Sequence, residues 1–163
     1  MKRTFLLLFV ALGLSVFINA QDFSGNWVQQ SKQHVSGPEY TNAIQKKMTI
    51  NQRPDSILII SVNTGADGQD ITGRQAICTN GKPFIISNKA SRRKYSISTA
   101  WSADKKTLTI ITIFSMSDNE NETDFTRVET WILSADGKQL NVDKKSIETR
   151  SETWEVKAMF TKQ

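Results

Sequence analysis

A hairpin unit that occurs twice constrains the fold of this chain more than any other feature. Residues 101–110 read WSADKKTLTI and residues 131–142 read WILSADGKQLNV, so a tryptophan-led strand, a turn and a second strand recur along the chain. A repeated unit of this kind predicts a meander of antiparallel strands joined by tight turns.

The two copies of the unit differ at the turn itself. Asp136 and Gly137 form a dipeptide typical of tight hairpins, because glycine adopts positive φ without a steric penalty and aspartate tolerates the left-handed region. The first copy has Lys105 in place of the glycine. We therefore expect the first turn to be longer or mildly strained, and less regular than the second.

Alternation of apolar and polar residues predicts roughly nine or ten strands and no amphipathic helix beyond residue 20. An Asn-Gly pair at residues 80–81 is expected to form a third hairpin between two short strands. A Gly-Pro pair at residues 37–38 interrupts the first strand, so residues 31–42 are expected to form a loop.

Consecutive hairpins leave two exposed sheet edges unless the sheet closes, and long exposed edges promote aggregation. We therefore expect an all-β fold, in which an antiparallel up-and-down meander closes into a barrel of about 8–10 strands. A flattened sandwich is the alternative architecture. Barrels of this size can hold a small molecule at the mouth.

Residues 1–20 have the features of a secretory signal peptide. A basic start is followed by an apolar run from Phe5 to Phe17, and Ala20 occupies the expected cleavage site. The apolar run is short for a bilayer span, so no membrane anchor is expected after cleavage. We predict export to the periplasm or the medium, and a single barrel domain over residues 21–163.

Charge and cysteine content narrow the classes of function. The net charge of +5 includes two basic residues of the predicted signal peptide, and the remaining charges of both signs are interspersed. Nucleic-acid binding is therefore not expected. Cys78 is the only cysteine, which excludes an internal disulfide, and its alternating surroundings predict a small buried residue.

Metal centres and cofactors are not expected. His34 is the only histidine, which excludes a multi-histidine metal site, and we expect it to be a solvated loop residue. A short acidic segment is expected to form a solvated loop, with loose calcium binding as the alternative, because the twelve-residue calcium-loop pattern is absent. The acidic residues of this segment are Asp118, Glu120, Glu122 and Asp124.

Short motifs carry a resemblance to a known group of proteins. Gly25-Asn26-Trp27 resembles the Gly-x-Trp signature of the first strand of lipocalins and other calycins, and Thr123-Asp124-Phe125 resembles a Thr-Asp-Tyr element of a later loop. The second hairpin unit is similar to the late hairpin of lipocalin-like exported bacterial proteins. This resemblance implies a lipocalin-like barrel plugged by Trp27, commonly under an arginine of a late strand, here Arg127 or Arg150.

Aromatic and basic residues of the predicted interior or rim are the candidate ligand contacts. The aromatic side chains either fill the core or line a cavity for an apolar or ring-bearing guest. The basic segment 92–94 either meets an anionic ligand at the rim or stays solvated. The candidate ligand-binding residues are Trp27, Arg93, Tyr95, Trp101, Phe114, Trp131 and Trp154.

Three functions are compatible with the sequence. We favour non-enzymatic binding of a small apolar or amphipathic molecule, because no set of acid, base and nucleophile is present; it requires a cavity of about 300 Å³ or more. The alternative is an envelope protein–protein interaction or inhibitor module with a solid core, suggested by the apolar segment 57–60. A hydrolase or isomerase would need two of Asp124, Glu129 and Glu155 in one pocket.

Overall fold

The structure, a computed structural model, describes residues 20–88 and 93–163, and these residues form ten β-strands. These ranges contain no helix. The predicted signal peptide lies outside the described residues except for Ala20, and so does Arg92. The strands are β1 (Gly25–Ser36), β2 (Lys47–Gln52), β3 (Ser56–Thr64), β4 (Asp70–Cys78), β5 (Phe84–Asn88), β6 (Arg93–Trp101), β7 (Thr107–Ser115), β8 (Thr123–Leu133), β9 (Gln139–Glu148) and β10 (Trp154–Lys162).

The strands form one sheet that curls into a nearly closed barrel. Their order in the sheet is β4-β3-β2-β1-β10-β9-β8-β7-β6-β5, and every neighbouring pair is antiparallel. The first strand, β1, pairs with the last strand, β10. The prediction of an all-β barrel built from about 8–10 antiparallel strands is therefore confirmed.

The seam between β4 and β5 corrects one prediction. These two strands are the edges of the sheet and do not pair with each other, so the hairpin expected at residues 80–81 is wrong. The side-chain oxygen of Asn80 instead accepts a hydrogen bond from the backbone N–H of Lys82 at 3.0 Å. Pro83 follows directly and has no N–H to donate to a neighbouring strand, which disfavours a hairpin at this point.

Cys78 lies at the end of β4, beside this seam. It is half-buried, and so less enclosed than the sequence predicts. Its carbonyl accepts a hydrogen bond from the hydroxyl of Thr99 at 2.9 Å. Since β5 pairs with β6 only as far as Ile97, β4 contacts β6 directly beyond that residue, and the two edges approach each other there.

The first strand is longer than predicted. It runs to Ser36, so the loop expected over residues 31–42 begins only after that residue, and His34 is an exposed strand residue rather than part of a loop. Two register shifts interrupt its pairing with β10. The second half of β1 is exposed throughout, and its polar sequence therefore lacks the apolar alternation that would have indicated a strand.

The two repeated turns have the same geometry, which corrects the expected irregularity of the first. In each turn the serine hydroxyl donates to the aspartate carboxylate two residues later at 2.6 Å, and that carboxylate accepts the backbone N–H two residues further on. Lys105 has a φ of 57° where Gly137 has 71°. The first turn thus keeps its regular form with one strained residue. The aspartates act as acceptors and do not have positive φ.

Alternate residues of each strand face the barrel interior. In the apolar segment of β3, Ile57 and Ile59 are buried, whereas Leu58 is half-buried and Ile60 is exposed. This segment therefore has one face in the core and the other on the outer wall of the barrel. The interior itself divides into two ends of different composition.

Candidate functional site

Three of the four tryptophans pack at the end of the barrel that we call the closed end, defined by Phe23, Trp27, Trp101, Trp131 and Phe160. The ring of Phe23 stacks on Trp101 and meets the edge of Trp131, with both centroid distances at 5.7 Å. The indole N–H of Trp27 donates to the carbonyl of Phe23 at 2.9 Å. Trp27 and Trp131 are each 1% exposed, so the interior at this end is a packed aromatic core. Trp101 is half-buried and lines an open groove of about 360 Å³ on the outside of this core.

The cation that covers Trp27 is not one of the two predicted arginines. The ammonium group of Lys162, in the last strand, lies 5.5 Å from the centre of the Trp27 ring. Arg150 is exposed and lies 3.9 Å from Glu122, and Arg127 contacts aromatic rings elsewhere in the barrel. The expectation of a covering arginine is therefore wrong, although a late-strand cation does occupy the position.

An ion pair lies inside the barrel above the closed end. Glu129 of β8 and Lys144 of β9 face each other across the strands, with 3.0 Å between carboxylate and ammonium and side chains only 18% and 8% exposed. The indole N–H of Trp131 donates to the same carboxylate at 3.3 Å. Burial alone would raise the pKa of Glu129, but Lys144, together with the hydrogen bond from Trp131 and the charge of Arg127, lowers that pKa.

Aromatic rings line the opposite end of the barrel, which we call the open end. Phe114 stacks between Tyr95 and Phe125, at centroid distances of 5.3 Å and 4.3 Å. Tyr40, from the segment between β1 and β2, meets the edge of Trp154 at 5.7 Å. These rings come from four strands and one connection, so the open end has an apolar lining that is assembled only in the folded barrel.

Arg127 of β8 lies among these rings. Its guanidinium carbon is 4.8 Å from the centre of Phe125, 5.2 Å from Phe114 and 5.9 Å from Trp154. Burial lowers the pKa of Arg127, and the charges of Glu129 and Glu148 oppose this shift. The guanidinium is therefore a cationic group in largely apolar surroundings.

The polar groups of Arg127 are not satisfied by the residues that the structure describes. Its Nε is buried without a hydrogen-bond partner, and no carboxylate lies within ion-pair distance of it, whereas Arg93 at the same end is paired with Asp124 at 2.7 Å. A buried donor without a partner costs free energy. Among the described residues at this end, Arg127 therefore has a buried donor, its Nε, that no protein group accepts.

A cavity of about 260 Å³ opens beside Arg127. This volume is below the minimum of about 300 Å³ that the sequence-based hypothesis of ligand binding requires, so that requirement is not met by this cavity and only a smaller guest fits it. Glu148 faces the same space and accepts a hydrogen bond from the hydroxyl of Ser146 at 2.6 Å. The lining residues are Tyr40, Asn42, Ala43, Phe125, Arg127, Glu148 and Trp154.

The structure divides the seven candidate ligand contacts between the two ends. Trp27, Trp101 and Trp131 belong to the closed end, where Trp27 and Trp131 are core residues and Trp101 is half-buried and packs against the core. Tyr95, Phe114, Trp154 and Arg93 lie at the open end, but only Trp154 lines the cavity. Ligand contact by these residues stays a prediction.

Sequence reasoning missed most of the cavity lining. Phe125 and Arg127 alternate with Trp131 along β8, so the period of two finds them once Trp131 is assigned to the interior. The same period of two along β9 assigns Glu148 to the interior. Tyr40 lies in an irregular segment, and no sequence pattern brings it to Trp154.

Of the three candidate carboxylates of a hydrolase or isomerase, two form separate ion pairs. Asp124 is paired with Arg93, Glu129 is paired with Lys144, and Glu155 lies opposite Lys145 in the register of β9 and β10. In the acidic loop, Glu120 is paired with Lys94 and Glu122 lies near Arg150. Over residues 20–88 and 93–163, no group of three acidic, histidine or cysteine side chains is arranged to hold a metal ion.

Comparisons with known proteins do not assign a family. A scan against protein-family models gives no match, and a search of the curated proteins gives none either. Within the described part of the chain, no helix has the length and hydropathy needed to cross a membrane. The lipocalin-like resemblance accordingly remains a prediction.

Proposed function

We propose that this protein is a non-enzymatic, lipocalin-like binding protein for a small amphipathic molecule, exported to the periplasm or the medium after removal of residues 1–20. The observation that carries the proposal is the cavity at the open end, where aromatic rings surround the unsatisfied guanidinium of Arg127. An amphipathic guest matches this pairing of apolar walls with a few polar groups.

The difference between the two ends supports a binding role. Trp27, Trp131 and Phe160 are at most 1% exposed, so the interior of the closed end is filled by its own side chains. At the open end, the Nε of Arg127 has no described acceptor. A buried donor of this kind usually has a structural or functional reason, and a ligand that accepts its hydrogen bonds supplies one.

Exposed apolar residues at the seam favour the alternative function, an envelope interaction or inhibitor module. Ile71 on β4 is 56% exposed, and Phe84 and Ile85 on β5 are 48% and 68% exposed. Unpaired edges that carry apolar side chains can add a strand from another protein. A strictly monomeric protein with an unchanged elution volume in the presence of envelope extract would count against this alternative.

The binding proposal is tested by native mass spectrometry of the protein purified from its own host. We expect a mass offset from a retained small molecule. Ala43 is buried and lines the cavity, so Ala43→Phe should fill the space and abolish the offset. Ala135→Phe, at an exposed position of the second turn, is the matched control and should retain it.

A second measurement covers a ligand that is lost on purification. A neutral apolar dye, N-phenyl-1-naphthylamine, should bind the wild type and the Ala135→Phe variant with increased fluorescence, and should not bind Ala43→Phe. Absence of both a mass offset and dye binding in the folded wild type would rule out the proposed function. Equal dye binding by the two variants would place the ligand elsewhere.

A further inference from the structure

Two charges of opposite sign remain at the cavity after the other ion pairs of the open end are formed. Arg93 is paired with Asp124, and deeper in the barrel Glu129 is paired with Lys144. Among the described residues, neither Arg127 nor Glu148 has an oppositely charged side chain within ion-pair distance, although both line the same cavity. The cavity therefore offers one cation and one anion to a guest.

We propose, building on the proposed function, that the ligand is a zwitterion with a flat apolar body, such as a free aromatic amino acid. Its carboxylate accepts hydrogen bonds from the guanidinium of Arg127, and its ammonium group donates to the carboxylate of Glu148. Its ring packs against Tyr40 and Trp154.

The charges on the wall decide between a zwitterion and a simple acid. A carboxylate fits the planar, forked donors of a guanidinium well. Without an ammonium group, however, an acid bound to Arg127 brings a second negative charge into the cavity that Glu148 lines, in a partly desolvated space. Like charges in such surroundings repel more strongly than in water. A zwitterion pairs both wall charges and leaves the cavity neutral.

The position of Arg127 also favours Glu148 as the partner of the ligand's ammonium group. A free ammonium could in principle bind over the aromatic rings, but the guanidinium of Arg127 already lies over Phe125 and near Trp154. A second cation on those ring faces would be repelled by Arg127. The carboxylate of Glu148, whose one described donor is the hydroxyl of Ser146, is the favourable partner.

Isothermal titration calorimetry of the mature protein with three matched probes tests this inference. L-Phenylalanine carries both charges, 3-phenylpropionate lacks the ammonium group, and 2-phenylethylamine lacks the carboxylate. For the wild type we expect phenylalanine to bind at least tenfold more tightly than either single-charge analogue. The zwitterion assignment is overturned if phenylpropionate binds as tightly as phenylalanine.

Two charge-neutral variants separate the contacts. Glu148→Gln should remove the preference for phenylalanine over phenylpropionate, and Arg127→Gln should remove the preference over phenylethylamine. Arg150→Gln and Glu152→Gln, at exposed positions, are the controls and should leave both preferences unchanged. If Arg127→Gln does not fold, Arg127→Lys retains the charge and should weaken phenylalanine binding by losing the forked contact.

The outcomes separate this inference from the function on which it rests. If none of the three probes binds while N-phenyl-1-naphthylamine binds the wild type and not Ala43→Phe, the cavity binds a ligand that is not an aromatic zwitterion. If neither the probes nor the dye bind, both proposals fail. If the variants at Arg127 and Glu148 bind phenylalanine like the wild type, the site is wrong.

Discussion

The closed and open ends of the barrel are built from the same strands, yet their interiors are opposite in character. At the closed end, Phe23, Trp27 and Trp131 are at most 1% exposed and contact one another. At the open end, a cavity is lined by Phe125 and Arg127, which lie on β8, the strand that also contains Trp131. The comparison shows that the same strands form a packed aromatic core at one end and a partly polar cavity at the other.

The largest difference is expected for phenylalanine truncation at the two ends. Phe160 is fully buried at the closed end, so Phe160→Ala should reduce the free energy of unfolding by about 3–5 kcal/mol through lost burial and a cavity. Phe125 is half-buried beside an existing cavity, so Phe125→Ala should cost about 1 kcal/mol. Urea unfolding followed by tryptophan fluorescence measures both. Equal losses would contradict the division into two ends.

The ion pair between the two ends should be the next most sensitive feature. Lys144→Met leaves the carboxylate of Glu129 in the barrel interior without its cation, which should cost about 2–3 kcal/mol. The pair of Lys157 and Asp143 has the same 3.0 Å separation but is half-exposed, so Lys157→Met is the matched control and should change stability little.

A double variant distinguishes an unpaired charge from lost packing at this pair. If the cost of Lys144→Met comes from the uncompensated carboxylate of Glu129, Glu129→Leu combined with Lys144→Met should recover most of the stability. A loss that persists in the double variant would assign the effect to packing of the Lys144 stem instead. Urea unfolding of the single and double variants provides the comparison.

Acid should weaken the protein partly through the same pair. The pKa of Glu129 is lowered in the folded barrel because the opposing effect of burial is outweighed by Lys144 together with Trp131 and Arg127. The ionised carboxylate of Glu129 therefore stabilises the fold fully above the unfolded pKa of about 4.3. This stabilisation is lost as the pH falls through the lower pKa of the folded state. Between pH 5 and pH 3, Glu129→Gln should lose less stability than the wild type. Parallel pH profiles would contradict this role.

The closed end is the part of the interior that sequence patterns describe best. The alternation along β10 assigns Ala158 and Phe160, toward the closed end, to the interior, and both are buried. Gly25-Asn26-Trp27 likewise indicates a buried tryptophan. Aromatic residues at a period of two have one favourable position in an antiparallel barrel, so burial follows directly from the pattern.

The open end follows much less from sequence, because its contacts depend on side chains distant along the chain. Nothing around Tyr40 indicates that it meets Trp154, and the pairing of Glu129 with Lys144 requires the register of β8 and β9. The seam is a second example. The Asn-Gly pair at residues 80–81 has hairpin chemistry, but β5 pairs only with β6 and its edge toward β4 stays unpaired.

The smallest predicted effect concerns the two turns that border the closed end. Both have the same hydrogen bonds, and they differ in the residue with positive φ, Lys105 in one and Gly137 in the other. A side chain in the left-handed region costs about 1–2 kcal/mol, and the greater unfolded-state entropy of glycine offsets part of that cost. Lys105→Gly should therefore stabilise the barrel by about 0.5 kcal/mol.

The reciprocal change completes this comparison. A Cβ added at Gly137 meets no atom within 4 Å, so Gly137→Lys introduces backbone strain without a clash and should destabilise the barrel by about 0.5–1 kcal/mol. Thermal unfolding of the two variants and of their combination should show opposite, additive shifts, because the turns share no hydrogen bond. If Lys105→Gly instead destabilises the barrel, the lysine side chain itself contributes to the closed end, and the two turns are not equivalent.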